Sequence, residues 1–286
     1  MKEKTAALIY GRNDGYKEDE RLVVHINSLL DTFDEVLYLD WNSPDAKGSL
    51  LENIKSKLNK TGKLKHFIIP ENIVNEFTGK TPGVQPCLSV ICYNILLRRT
   101  NADWIVTTTN DIIAPNKQIF NNFLSKADKN TFYTISRRDI EYDDLQSFGF
   151  NKWEEFRNHL DKTSSPRHWP AKVTPNDNYS LINCCGDFQL AHKDVWNKVK
   201  GFEEQMIYAC FQDTNIQKKA VLNGFDLKAI YDIPLYHMSH KGMGNDGSSP
   251  SKQQYNDAWG WVENFQESLN DENWGWNGID IEYEMI

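Results

Sequence analysis

The sequence contains no apolar run close to the ~18–20 residues needed to cross a bilayer, and it opens without the basic start and apolar stretch of a secretory signal. These absences lead us to expect a cytoplasmic protein with no membrane span. The five cysteines (Cys87, Cys92, Cys184, Cys185 and Cys210) are odd in number and make no C-x-x-C pair, so neither a disulfide framework nor a zinc site is indicated. Clustered excess of Lys and Arg is also lacking. The net charge of −8 argues against a general nucleic-acid binder, which needs cations to displace counterions from phosphates. Internal repeats, low-complexity blocks and Pro/Gly-rich linkers are missing as well, which favours one domain over two.

What is there is ordinary globular material: 286 residues, 40% hydrophobic and 25% charged, enough for one large α/β domain. A short apolar run over 6–10 followed by Gly11-Arg12-Asn13-Asp14-Gly15 predicts a strand ending in a turn. Leu22, Ile26, Leu29 and Leu30 then recur at helical spacing, and Val36 to Leu39 reads as a second strand stopping at Asp40-Trp41-Asn42-Ser43. The alternation continues with a helix over 50–58, a strand over 65–69, a helix carrying Leu88, Ile91, Cys92, Ile95 and Leu96 on one face, and a strand over 103–107. Such alternation predicts a mixed, mostly parallel central sheet flanked by helices, because parallel pairing requires crossovers. Ligands of such sheets sit beyond the carboxyl ends of the strands. That rule singles out the loops at 12–15, 40–43 and 108–111.

Beyond Asp111 the pattern is less regular. It predicts a helix near 116–126, a strand over 131–136, a poorly periodic stretch over 143–178 read as an acceptor-side insertion, a helix over 193–200, one starting near Asp213, and a strand around 227–231. The tail from Ser248 holds Trp259, Trp261, Trp274 and Trp276, whose expected role is to anchor it to the core.

Four segments in order carry a resemblance. Ile9-Tyr10-Gly11-Arg12-Asn13 with Tyr38-Leu39-Asp40 is the first; Thr109-Asn110-Asp111-Ile112-Ile113-Ala114-Pro115 is the second. The third is Gly186-Asp187-Phe188-Gln189-Leu190, then Gly201-Phe202-Glu203-Glu204, then Gln212-Asp213; the fourth is Ile233-Pro234-Leu235-Tyr236-His237-Met238-Ser239-His240. Together they resemble the GT-A glycosyltransferases, specifically the family-two-like group of nucleotide-diphospho-sugar transferases, over roughly residues 5 to 245. The resemblance implies a GT-A (Rossmann-like) fold in a single domain, with a nucleotide-sugar lobe over 1–115, an acceptor lobe over 116–247 and a tail over 248–286.

It also implies roles. Tyr10, Arg12, Asn13, Asp40, Asn110 and Asp111 would contact a nucleotide-diphosphate sugar, a fixed carboxylate at residue 40 accepting hydrogen bonds from base or ribose. Asp111, as the last acid of a D-x-D segment, would hold Mn2+ or Mg2+ against the donor diphosphate, with His240 completing the site in preference to His237. Asp213 would deprotonate the acceptor hydroxyl of a glycan or similar molecule, with inversion at the anomeric carbon, and Asp187 would orient that acceptor. The chain departs from the pattern at Thr109, which replaces the first acid of D-x-D, and at Gln212, which replaces the acid before Asp213.

Plainer readings stand beside these. Asp111 and Asp213 both suit turn or helix capping. Gly242-Met243-Gly244-Asn245-Asp246-Gly247 formally fits G-x-G-x-x-G, but it lies too near the carboxyl end to open a dinucleotide-binding unit, and a loop closing over the diphosphate is the better reading. Two other functions remain open: a sugar nucleotidyltransferase, against which the short, acidic loop at 11–15 argues, and a carbohydrate-binding homologue without catalysis, which Thr109 and Gln212 keep alive.

Overall fold

The computed structural model describes residues 3–13, 19–41, 43, 48–70, 73–74, 87–163, 167–168, 172–174, 181–183, 186–207, 210–239 and 251–286. The first half alternates as its periodicity predicts: β1 (Thr5–Gly11), α1 (Asp19–Thr32), β2 (Glu35–Trp41), α2 (Leu50–Ile54) tightening into a 3-10 turn over Lys55–Lys57, β3 (Leu64–Ile69), α3 (Ser89–Leu97) and β4 (Trp104–Thr108). There follow β5 (Ile112–Ile113), α4 (Lys117–Leu124), β6 (Thr131–Ile135), β7 (Arg138–Ile140), α5 (Tyr142–Phe148), α6 (Trp153–Thr163), β8 (Arg167–His168), β9 (Lys172–Thr174), β10 (Leu181–Asn183) and β11 (Phe188–His192). The chain finishes with α7 (Lys193–Lys198), α8 (Gln212–Leu222), β12 (Asp226–Ile230), β13 (Tyr236–Met238), α9 (Lys252–Glu263) and β14 (Tyr283–Met285).

The central sheet has eight strands in the order β12-β6-β11-β4-β1-β2-β3-β14. Only β11 and β14 run against the others. From β1 the chain steps outward through β2 and β3, then returns to the other side of β1 as β4. The order therefore reverses between β1 and β4, and the crevice beyond their carboxyl ends is where sheets of this kind take ligands.

Both faces are covered. Ala7 and Ile9 point with Val36 and Tyr38 toward Leu22, Ile26, Leu29 and Leu30 of α1, Leu51 and Ile54 of α2, and Phe120 of α4. Ala6 and Leu8 point the other way, with Leu37 and Leu39, toward Ile91 and Ile95 of α3, Trp196 of α7 and Ile216 and Ala220 of α8. A strand buried on both faces needs apolar residues at every position, which is why β1 reads as a continuous run rather than an alternation.

Helix α3 departs from expectation: all nine of its residues are buried, not one face. The cause is the carboxyl-terminal segment, which lies across its outer side. Arg98 donates to the carbonyls of Glu272 and Trp274 at 2.8 and 3.1 Å, and Arg99 donates to the carbonyl of Ile279 at 2.7 Å. Gly275, at φ +65°, lets the backbones meet: a Cβ there would stand 2.3 Å from the Asn94 carbonyl oxygen. Trp274 and Trp276 are buried in this contact, while Trp259 stays exposed. The tail then supplies β14, an edge strand paired antiparallel to β3.

The stretch over 143–178 is not irregular throughout. It holds α5 and α6, and Trp153, Phe156 and Leu160 turn one side of α6 toward Val24, Ile113, Tyr236 and Met238. A second, smaller sheet in the order β5-β13-β7-β8 lies here, and it matters for the site.

Candidate active site

The ends of β1, β2 and β4 make the first wall. Gly11 closes β1, and a Cβ at that position would lie 2.3 Å from the Tyr38 hydroxyl oxygen and 3.3 Å from Asn110 Nδ2. Only glycine lets Tyr38 and the loop of Asn110 approach the strand this closely. Asn110 donates from Nδ2 to the Tyr10 carbonyl at 2.7 Å, tying the loop after β4 to the end of β1. Tyr10 packs edge-on against Tyr93 with ring centroids 4.9 Å apart, and burial raises the pKa of its phenol.

Asp40, next to the last residue of β2, is fully buried. Its Oδ1 accepts the Ser43 amide at 3.2 Å, while Oδ2 finds no partner among the described residues. Asn110 Oδ1 and the Tyr38 hydroxyl are buried and unpartnered in the same sense. Buried polar atoms are almost always satisfied, so three orphaned atoms on β2 and the loop after β4 are candidates to meet donors and acceptors of a ligand. Asn13 is held there by two bonds, its amide to Ser43 Oγ at 2.8 Å and its Nδ2 to the Gly48 carbonyl at 3.0 Å. Arg12 is partly buried beside it.

The second wall is a chain of charges. Thr109 donates to Asp111 Oδ1 at 2.6 Å, and His237 presents Nε2 to Asp111 Oδ2 at 3.2 Å. The other ring nitrogen of His237 meets Asp139 Oδ1 at 2.8 Å, Arg137 Nε lies 3.1 Å from that same oxygen, and the Arg137 guanidinium reaches across to Asp187. The small sheet makes this possible, since β13 pairs with both β5 and β7 and sets His237 opposite Ile112 and Asp139. His240, the histidine favoured by the sequence, lies outside the described residues, as do Asp14 and the Gly242–Gly247 segment.

Asp213 completes the rim from α8. Because β11 runs antiparallel to β4, the residues just before it lie beside the carboxyl end of β4: the Thr109 amide donates to the Asp187 carbonyl at 3.4 Å. Gly186 and Gln189 then hold the start of α8. Gln189 Nε2 donates to the Asp213 carbonyl at 3.0 Å, and a Cβ on Gly186 would stand 2.7 Å from Asp213 Cβ. Phe211 turns into α8 through a left-handed backbone at φ 59°. Gln212, in the place of the expected acid, is structural: it accepts from Ser89 Oγ at 2.5 Å and donates to the Met206 carbonyl at 2.9 Å.

Asp213 is half-buried as a residue, and the protein around its carboxyl raises the pKa to about 6. Desolvation is the main cause and the nearby Asp187 charge adds to it; the Thr214 amide, 2.9 Å from Oδ1, pulls the other way. A carboxyl tuned toward neutrality is what general acid–base work requires. Sequence reasoning did not find Arg137, Asp139 or Gln189. The available signal was the run of charges Arg137-Arg138-Asp139 directly after a strand.

A divalent ion fits the Asp111–His237 pair. The two ligand atoms are 3.2 Å apart, close to the ~3 Å between neighbouring ligands on an ion with bonds near 2.1 Å, and Asp139 orients the imidazole as carboxylates do behind metal-bound histidines.

The sequence matches no protein-family model and no curated protein. Solved structures match its fold. GalNAc-T7 with UDP, GalNAc and Mn2+ superposes at a TM-score of 0.55 and 11% identity, over 91% of this chain and 48% of that one. S. aureus TarS 1-349 in complex with UDP-GlcNAc gives 0.53 and 14%, over 91% and 65%. The mannosyltransferase PcManGT from Pyrobaculum calidifontis, in complex with GDP-Man and Mn2+, gives 0.51 and 15%, over 85% and 59%. This chain thus spans between 48% and 65% of the length of these three proteins. At such identities the likeness is one of fold: the chain has a single-domain GT-A, Rossmann-like fold, the architecture on which those nucleotide-sugar proteins are built.

Proposed function

We propose that this protein is a glycosyltransferase that moves a sugar from a nucleotide-diphosphate donor to an acceptor hydroxyl, inverting the anomeric centre. The observation that carries this reading is the convergence of Asp40, Asp111, Asp187 and Asp213, far apart in sequence, on one rim of the sheet. Asp40 and Asn110 receive the nucleoside, with Tyr10, Arg12 and Asn13 lining the approach. Asp111 and His237 hold a divalent ion, Mn2+ or Mg2+, against the diphosphate, and when bound such an ion supplies Lewis-acid neutralisation of the leaving group. Asp213 takes the proton of the acceptor hydroxyl as that oxygen attacks the anomeric carbon. Asp187, ion-paired with Arg137, orients the acceptor. The lobe over 1–115 thereby serves the donor and the stretch over 116–247 the acceptor.

The test is a screen of nucleotide-diphosphate sugars with Mn2+, read by nucleotide release and by nuclear magnetic resonance of the first-formed product. Transfer with inversion, lost in Asp213→Asn, is expected. Retention, or full activity in that variant, would overturn the assignment of the base. One observation favours a second reading, a sugar-binding protein without catalysis: Thr109 occupies one oxygen of Asp111 with a hydrogen bond where the family carries a second acid. That reading predicts donor binding with no release of nucleotide.

A further inference from the structure

We propose that Glu52, His66 and Glu284 form a divalent-metal site of the zinc class, separate from the donor site, that ties the carboxyl-terminal strand to the edge of the central sheet. The three residues come from α2, β3 and β14, and one ligand atom from each lies within 4.8 Å of the others. Glu284 sits directly opposite His66 in the β3–β14 register.

The histidine is what separates this cluster from a chance meeting of surface acids. His66 is 2% exposed in a central-sheet strand. Its Nε2 is 3.2 Å from Ser49 Oγ, while Nδ1 has no hydrogen-bond partner among the described residues. Nδ1 faces Glu52 Oε1 at 3.6 Å. That is too long for a hydrogen bond, but it matches the ~3.4 Å between two ligands on a tetrahedral ion with bonds near 2.1 Å. In the tautomer whose Nε2–H donates to Ser49, the Nδ1 lone pair faces the two carboxylates, and three acceptors share one small space. A hydrogen bond to the far ring nitrogen is how proteins orient a metal-binding imidazole.

Two other cations could serve, and each fits poorly. A proton on Nδ1 would find Glu52 Oε1 at 3.6 Å, beyond hydrogen-bond reach. The Lys55 ammonium lies 2.5 Å from Glu284 Oε1 and 3.7 Å from Glu52 Oε1, and leaves Nδ1 unsatisfied. Its side chain is one-third exposed. One imidazole and two carboxylates suit Zn2+, with a water in the fourth position supplied through the solvent-facing side of Glu52 and Glu284. The site is remote from Asp111: β3 lies three strand spacings from β4, about 14 Å.

The experiment uses the full-length chain stripped of metal, titrated with ZnCl2 by calorimetry and by thermal shift without nucleotide. Zn2+ should bind and raise Tm, binding should weaken more than about tenfold in Glu52→Gln and Glu284→Gln, and Lys55→Met should bind more tightly because a competing cation is gone. Asp111→Asn, which removes the donor site, should retain this binding. His66→Gln should lose it; since a buried substitution can impair folding, the two exposed glutamates decide the question by themselves. Unchanged affinity in Glu284→Gln and Glu52→Gln, loss in Asp111→Asn, or no binding to the wild-type chain would each overturn the proposal.

Discussion

His237 stands between two acids, its Nε2 3.2 Å from Asp111 Oδ2 and its Nδ1 2.8 Å from Asp139 Oδ1. The Met238 amide donates to the Asp111 carbonyl at 2.8 Å, so backbone and side chain of β13 grip the same loop. In this arrangement Asp139 sets the ring and Asp111 receives it. Removing the partner behind a metal-bound imidazole typically weakens metal binding about 10–100-fold. Asp139→Asn should therefore weaken Mn2+-dependent donor binding by that factor, and Asp111→Asn should abolish it, both read by thermal shift with nucleotide sugar and Mn2+. Equal shifts in wild type and Asp139→Asn would show that the imidazole needs no such partner.

Replacing Asp213 should separate catalysis from binding. Asp213→Asn is expected to lower kcat by about 10²–10⁴ while leaving donor affinity nearly unchanged. If Asp213 is the base it works ionised, and with its pKa raised to about 6 wild-type activity should climb as pH rises through that value. A flat profile between pH 5 and 7 would argue for another base.

The same carboxyl has an effect on stability of opposite sign to that of most acids. Its pKa rises from 3.8 to about 6 on folding, so between those values the native state holds a proton that the unfolded chain has released. Stability attributable to this group is therefore lost as pH rises through that window and stays lost above it. Asp213→Asn should stabilise the fold at pH 7 by an amount on the order of 2 kcal/mol, measured by urea unfolding. No gain at pH 7 would mean that the carboxylate is better solvated than its surroundings imply.

Gly186 packs tightly against the start of α8. A methyl there would stand 2.7 Å from Asp213 Cβ, an atom fixed to the backbone of α8, so the helix start must move. If Asp213 is the base, Gly186→Ala should cut kcat at least about tenfold, since a shift near 1 Å of a catalytic group is costly. Wild-type turnover in that variant would show that the contact is relieved without moving Asp213.

The buried pair Glu203–Lys219 should matter for stability alone. Both side chains are fully buried, and Glu203 Oε2 also accepts from Ser268 Oγ at 3.0 Å and the Leu269 amide at 3.3 Å, so it joins α8 to the tail. Glu203→Ala should cost about 3–5 kcal/mol by stranding the Lys219 ammonium, whereas a double change to Leu and Met should cost far less. Equal losses in the two, by urea unfolding, would place the stabilisation in the tail contacts.

Much of the architecture was legible from periodicity. The strands ending at Gly11, Trp41 and Thr108 and helix α1 were readable because each buries a set of residues at the spacing of its own backbone. Asp40 and Asp111 were legible as candidates because one lies at the end of such a strand and the other in the loop just after one. Helix α6 was overlooked although Trp153, Phe156 and Leu160 carry its spacing, since charged residues fill the positions between them. His237 ranked below His240 on chain distance past the strand alone; the fold sets His237 beside Asp111, while His240 lies outside the described residues.

By itself the amino-acid order determined the alternation of strands and helices, the turns that end them, and hence the class of fold, because those depend on contacts between near neighbours along the chain. Only the tertiary structure decided that β11 enters antiparallel beside β4, that β13 brings His237 onto Asp111, and that β14 returns to set Glu284 against His66. Each of these pairings joins residues separated by tens to hundreds of positions. Their partners are selected by packing and hydrogen bonding across the folded sheet, and nothing in the local pattern around either residue records which partner it will meet.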